Sequence, residues 1–146
     1  MGRPKVKFGT IFLCALALAI SVFAQSSQQG LPALTPMKQF MLDVVHPAAN
    51  QILLVVYRGG PADEKEWAAV RYSAAELTDS GALLMVPSRA RDQGDSKDVA
   101  LMANAAKSAY KAAQAKDPKA LADAATMIDA SCISCHRQYR PDVFHR

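Results

Sequence analysis

The chain has 146 residues, 51% of them hydrophobic, and a formal net charge of +4. This length predicts one domain. Three of the basic residues, Arg3, Lys5 and Lys7, lie in a segment that we expect to be removed, which leaves a net charge near +1. A net charge this small gives no reason to expect binding to nucleic acid or to a membrane surface through overall electrostatic attraction.

The first segment has the pattern of a secretory signal peptide. Its basic start is followed by an apolar run over residues 8–23, and a small-x-small cleavage site ends at Ala24. We predict a signal peptide over 1–24, a flexible leader over 25–34, and export to the periplasm. Retention of the segment as a membrane anchor is the alternative.

Two helices are predicted after the leader. The first begins with Thr35 as N-cap and Pro36 at its first position, and Pro47 removes a backbone hydrogen bond that should kink it. An Arg-Gly-Gly-Pro sequence ends it, and the second helix begins near 61–64. Their apolar seams have steps of three and four residues. The seams are Met37, Met41, Val44, Ala48, Ile52 and Val55, then Trp67, Val70, Ala74, Leu77, Gly81 and Leu84.

Two further helices follow a polar stretch. The third begins near Asp95 or Ser96, and the fourth begins at Asp117-Pro118 and ends before Pro141. Their seams are Val99, Met102, Ala106, Ala109, Tyr110 and Ala113, then Leu121, Ala125, Ile128, Cys132 and Cys135. Four amphipathic helices with short links and no strand pattern predict an all-α fold. We expect an antiparallel up-down-up-down four-helix bundle over 35–146.

The fourth helix contains Cys132-Ile133-Ser134-Cys135-His136, the Cys-x-x-Cys-His pattern of covalent haem attachment. Residues three and four apart share one face of a helix. Both thiols can therefore form thioethers with the vinyl groups on one edge of a haem, while His136 ligates the iron. Because Cys132 and Cys135 continue an apolar seam, we predict one haem c that faces the core.

Two other interpretations fit the same five residues. A thioredoxin-like redox pair would follow a strand, and no strand pattern lies nearby. A zinc site would need a fourth ligand, for which only His46 and His145 are spare.

The bundle topology suggests the second iron ligand. In an antiparallel bundle the start of the first helix lies level with the end of the fourth. Met41 is therefore the candidate distal ligand, and simple core packing is the alternative. We assign His46 to the surface because it lies away from the Met41 seam, and His145 to an exposed tail. Rival methionines near the same end are Met37, Met85 and Met102.

Several arginines are expected near the same end of the bundle. They can pair with haem propionates or guide an acidic partner, or they can remain solvated and complement the helix dipole. They are Arg89, Arg91, Arg137, Arg140 and Arg146.

The residues from Cys132 to Arg140, Cys-Ile-Ser-Cys-His-Arg-Gln-Tyr-Arg near the C-terminus, resemble those of class II cytochromes c, the cytochrome c-prime family. The stretch from Met41 to Pro47 is similar to the first-helix region of that family. The resemblance implies a periplasmic electron carrier, not an enzyme, in which His136 and Met41 ligate the iron. It also implies unidentified redox partner proteins and allows a homodimer. Family members with an open iron site instead bind gases such as nitric oxide or carbon monoxide, which is the alternative function.

Overall fold

Four long helices follow one another in the part of the chain that the computed structural model describes, residues 35–90 and 93–144. Helix α1 spans Met37–Tyr57, α2 spans Glu64–Leu84, α3 spans Gln93–Ala115 and α4 spans Pro118–Tyr139, before a short 3-10 turn at Pro141–Phe144. No strand occurs within those residues, so the predicted all-helical fold with four helices is confirmed. The predicted signal peptide and leader lie outside the described part.

Side-chain caps fix the starts of α2 and α4. The backbone N–H of Glu66 donates to the Asp63 carboxylate at 2.8 Å, and that of Ala120 donates to Asp117 at 3.0 Å. Each aspartate satisfies a donor that has no partner within its own helix. The predicted Asp117-Pro118 start of the fourth helix is thus confirmed.

Two predicted helix starts differ from the structure. The N-cap position of α1 is Pro36, without a side-chain hydrogen bond, because the Thr35 hydroxyl and carbonyl accept hydrogen bonds from Arg89 instead. Helix α3 begins at Gln93, before the predicted Asp95 or Ser96. Terminal turns lie outside the apolar seam, so periodicity fixes them less firmly than it fixes helix interiors.

Helix α1 contains a π turn at Met41–Val45, where the backbone N–H of His46 donates to the carbonyl of Met41, five residues earlier. Pro47 explains it. Proline has no N–H to donate, and in a regular α-helix its ring would crowd the carbonyl of Asp43. The wider turn accommodates the proline, and α1 continues to Tyr57.

The predicted seams form the core. Six residues of α2 are buried at the predicted positions, and α3 contributes mostly alanines, which allow close helix approach. A Cβ added at Gly81 of α2 would lie 3.1 Å from the Cβ of Ala103 in α3, so these two helices are nearly in backbone contact. The buried seam residues are Ala48, Ile52, Val55, Trp67, Val70, Ala74, Leu77, Gly81, Leu84, Met102, Ala106, Ala109, Ala113, Leu121, Ala125 and Ile128.

Helix α3 packs extensively on both α2 and α4, and α1 packs on α2 and more lightly on α4. Lys116 after the end of α3 forms an ion pair with Glu64 at the start of α2, and a Cβ added at Gly60 before α2 would lie 3.8 Å from the Cβ of Pro118 at the start of α4. The links that precede α2 and α4 therefore meet at one end of the bundle.

Helix α1 is the one helix among the described residues that is long and apolar enough to cross a membrane, with a mean hydropathy of 1.4 over its most apolar window. A core helix meets the same criterion. One side of α1 packs into the bundle through Ala48, Ile52 and Val55, which accounts for much of its apolar character.

Candidate functional site

The Cys-x-x-Cys-His residues lie in the last turns of α4. Ile128 and Ser131, just before them, are buried. Cys132 packs against the core and is half-buried, and Cys135 and His136 are also partly buried, whereas Ser134 is exposed. Of the three residues predicted to bind haem, Cys132 thus packs against the core and the other two are partly covered, while the intervening Ser134 faces solvent.

The two cysteines are thiols and are not joined by a disulfide. Burial raises the pKa of the Cys132 thiol, and the charge of Asp129 acts in the same direction, while a hydrogen bond with Ser131 opposes them. Since a raised pKa keeps a thiol protonated at neutral pH, Cys132 is shielded from the thiolate chemistry of redox-active cysteines.

His136 is held in its neutral form. Burial lowers its pKa from the ordinary value of 6.5, and the positive charges of Arg140 and His46 act in the same direction, whereas Asp142 opposes them. Arg140 is itself paired with Asp142 through two hydrogen bonds of 3.0 and 2.9 Å. A neutral imidazole has the free lone pair that metal ligation requires.

The π turn decides which side of α1 carries Met41. In a π turn, residues five apart are stacked along the helix, and the backbone hydrogen bond between His46 and Met41 makes them such a pair. His46 lies close enough to influence the titration of His136. Met41 is therefore one turn from His46, on the side of α1 that lies near the end of α4. The His46 side chain is nevertheless exposed, as predicted, while Met41 packs against the core.

The same turn changes which residues of α1 fill the core. Phe40 and Val45, five residues apart, are each 5% exposed. Met41 and Val44, which regular spacing predicts to be buried, are half-buried and pack against the edge of the core. The sequence signal for a departure from regular spacing was Pro47, since a proline inside a helix removes a backbone hydrogen bond and crowds the preceding turn.

Pairing with a propionate or guidance of a partner was one interpretation of Arg89, but the residue is buried, with 7% of its surface exposed. Its guanidinium donates to the carbonyl of Leu83 at 2.9 Å and to the carbonyl and hydroxyl of Thr35 at 3.0 and 3.1 Å. The guanidinium carbon also lies 4.1 Å from the centre of the Phe40 ring. Arg89 therefore has a structural role, in which it joins the end of α2 to the start of α1. Arg91 and Arg146 lie outside the described residues.

The two spare histidines are His46 and His145, and the structure describes only the first of them. The His46 ring is exposed and lies 3.3 Å from the amide nitrogen of Asn50. His145 lies outside the described residues. Within residues 35–90 and 93–144, no group of three His, Cys, Asp or Glu side chains is arranged to hold a metal ion.

The residues predicted to hold a haem, and the apolar residues of α1 near Met41, are partly exposed. We define the open end as this set of half-buried residues: Met37, Met41, Val44, Cys132, Cys135 and His136. They combine apolar surface with two thiols, an imidazole and thioether sulfurs. This is the donor set of a c-type haem, and imidazole with thioether is an established pair of axial iron ligands.

Comparison of the chain with protein-family models, curated proteins and solved structures found no match.

Proposed function

We propose that the chain is a periplasmic c-type cytochrome that carries one covalent haem c and transfers single electrons to partner proteins. It acts as a carrier and not as an enzyme. The observation that carries the proposal is that Cys132, Cys135 and His136 lie at partly buried positions of α4, near the side of α1 that bears Met41. A Cys-x-x-Cys-His pattern in a surface loop would lack this support.

The proposal includes an antiparallel up-down-up-down bundle. Its support is the pairing of Glu64 with Lys116, which brings the start of α2 to the end of α3. Gly81, late in α2, lies against Val99 and Ala103, early in α3. In this topology the start of α1 lies level with the end of α4, as Met41 ligation requires.

Each residue of the open end has a role in this proposal. Cys132 and Cys135 would hold the haem by thioether bonds, and His136 and Met41 would ligate the iron. When bound, the haem would supply one-electron chemistry between ferric and ferrous iron. Met37 and Val44, half-buried beside Met41, would exclude water from the ligand. A methionine ligand opposite histidine raises the reduction potential.

The resemblance to class II cytochromes c is part of the same proposal. It rests on the residues from Cys132 to Arg140 and on the stretch from Met41 to Pro47. The predicted export by residues 1–24 belongs to the same proposal, because bacterial c-type haem is attached after export. The mature chain would then begin at Gln25.

The first experiment tests haem attachment. Expression with the haem-attachment machinery should give a protein whose intact mass equals residues 25–146 plus one haem. Cys132→Ala/Cys135→Ala should lose the added mass completely, because no thiol then remains to form a thioether. Ser134→Ala, an exposed position between the cysteines, is the matched control and should keep it. A native protein without the added mass would refute the proposal.

The second experiment tests the distal ligand by optical spectroscopy. The ferric native protein should be low-spin, and Met41→Ala should make it high-spin and open the reduced iron to rapid carbon monoxide binding. Met127→Ala is the matched control, since Met127 lies on α4 with 49% of its surface exposed. A native protein that is already high-spin would favour the alternative, a five-coordinate protein that binds nitric oxide or carbon monoxide.

A further inference from the structure

Arg89 lies in the link between α2 and α3, far in sequence from the start of α1, yet it contacts the residues around that start. Its guanidinium donates one hydrogen bond to the carbonyl of Leu83 near the end of α2. It donates three more to Thr35 just before α1, two to the carbonyl and one to the hydroxyl. The guanidinium also stacks on Phe40. One buried side chain thus joins the end of α2 to the first turn of α1.

The start of α1 has little stabilisation of its own. Its N-cap residue, Pro36, provides no side-chain hydrogen bond, and the π turn begins only four residues after the first helical residue. The first turn of a helix frays most easily because its N–H groups lack partners within the helix. The contacts of Arg89 hold this turn from outside, on Thr35 before it and on Phe40 at its end.

Phe40 directly precedes Met41, the first residue of the π turn. A shift of Phe40 would move Met41, since both lie on the same rigid turn. We propose that Arg89 is a positioning residue that holds Met41 in place as the distal ligand. This inference rests on the proposed function. In it, Arg89 in the α2–α3 link controls the coordination of the iron.

The chemistry of arginine suits this task better than that of lysine. The planar guanidinium donates in several directions at fixed angles and stacks on an aromatic ring at the same time. A lysine ammonium at position 89 would keep the charge, but it could not span Leu83, Thr35 and Phe40 together. We therefore expect a graded response to substitution.

The test uses the haem-loaded protein. Arg89→Met keeps an apolar stem and removes every contact of the guanidinium. It should raise the high-spin, five-coordinate fraction and the rate of carbon monoxide binding by about tenfold, the effect of losing one strong hydrogen bond. Arg89→Lys should lie between this variant and the native protein. Arg58→Met is the matched control, because Arg58 is exposed beyond the end of α1 and donates to Leu54 and Glu66, away from the start of that helix.

Circular dichroism and intact mass verify that each variant folds and carries haem. If Arg89→Met fails to fold, Arg89→Lys and Phe40→Leu provide the test, since Phe40→Leu removes the stacked ring and keeps an apolar side chain. Native-like spin state and carbon monoxide binding in the folded Arg89 variants would overturn the inference, provided that Met41→Ala changes both. If Met41→Ala changes neither, the Met41 ligand assignment fails, and the role of Arg89 fails with it.

Discussion

The two ends of the helix bundle differ in how completely the chain fills them. At the closed end, which we define by the links before α2 and α4, side-chain caps begin both helices, and Val55 and Leu121 are fully buried. At the open end, Phe40 and Val45 are buried, but Met41, Cys132 and His136 stay half-buried. The open end therefore keeps partly exposed sulfur and imidazole groups at the edge of a filled core.

Under the proposed function, this difference would let one chain both fold and hold a cofactor. Apolar surface stabilises a fold when it leaves water, and the closed end provides that stabilisation from the chain alone. The residues of the open end remain in partial contact with water until another group covers them. A covalent haem would be such a group, and it would add stability where the chain provides least.

The largest difference between the ends should appear in core truncations. In a haem-free background, Cys132→Ser/Cys135→Ser, we expect Leu121→Ala to lower the free energy of unfolding by about 2–5 kcal/mol, the range for a fully buried leucine. Met41→Ala should cost less than half as much, because Met41 is only half-buried. Denaturant titration followed by circular dichroism measures both values.

Equal costs for the two truncations would contradict the distinction between the ends. In the haem-loaded protein, the larger spectroscopic effect should instead come from Met41→Ala. Leu121→Ala should leave the spin state native, whereas Met41→Ala should change it.

A smaller effect is expected from the cap of α4. Asp117→Ala removes the acceptor for the N–H of Ala120 and should destabilise the protein by about 1 kcal/mol. The control is Asp123→Ala, which breaks an exposed ion pair with Lys119 of 2.9 Å and should cost less than about 0.5 kcal/mol. Thermal unfolding measures both. A changed rate of carbon monoxide binding in Asp117→Ala would show that the closed end influences the iron site.

The smallest effect concerns His136 and pH. Its pKa is lowered in the folded protein, so the unfolded chain binds the proton first as pH falls. The stability tied to this group is fully present above pH 6.5, its unfolded value, and is lost as pH falls through the folded pKa. In the haem-free background, the stabilities of the protein with His136 and of His136→Asn should differ by a constant above pH 6.5. The protein with His136 should then lose stability faster below that pH. Parallel curves throughout would contradict the lowered pKa.

Helix number and most core positions were predictable because they follow from local periodicity. Trp67, Leu77 and Leu121 recur at steps that place them on one side of a helix wherever that helix lies. The position of Cys132 at the end of such a seam was predictable for the same reason, and so was the cap at Asp117. A cap needs only residues within one turn.

Other features depend on contacts between distant residues. Thr35 has the chemistry of an N-cap, but it accepts hydrogen bonds from Arg89, 54 residues away. Arg89 has the chemistry of a surface charge, but it is buried against Phe40. Neither outcome can be deduced from neighbours in sequence, because each residue satisfies its polar groups with a partner that only folding brings near.

The sequence by itself determined four amphipathic helices, the Cys-x-x-Cys-His residues and the side of α4 on which the two cysteines lie, because these depend on spacing within a single helix. Only the tertiary structure decided how α1 meets that site. Pro47 leaves several ways to continue the helix, and the π turn that fits Phe40 and Val45 into the core leaves Met41 partly buried at the edge of that core. The physical reason is that a turn which is unfavourable in isolation becomes the best one when it lets two large side chains pack.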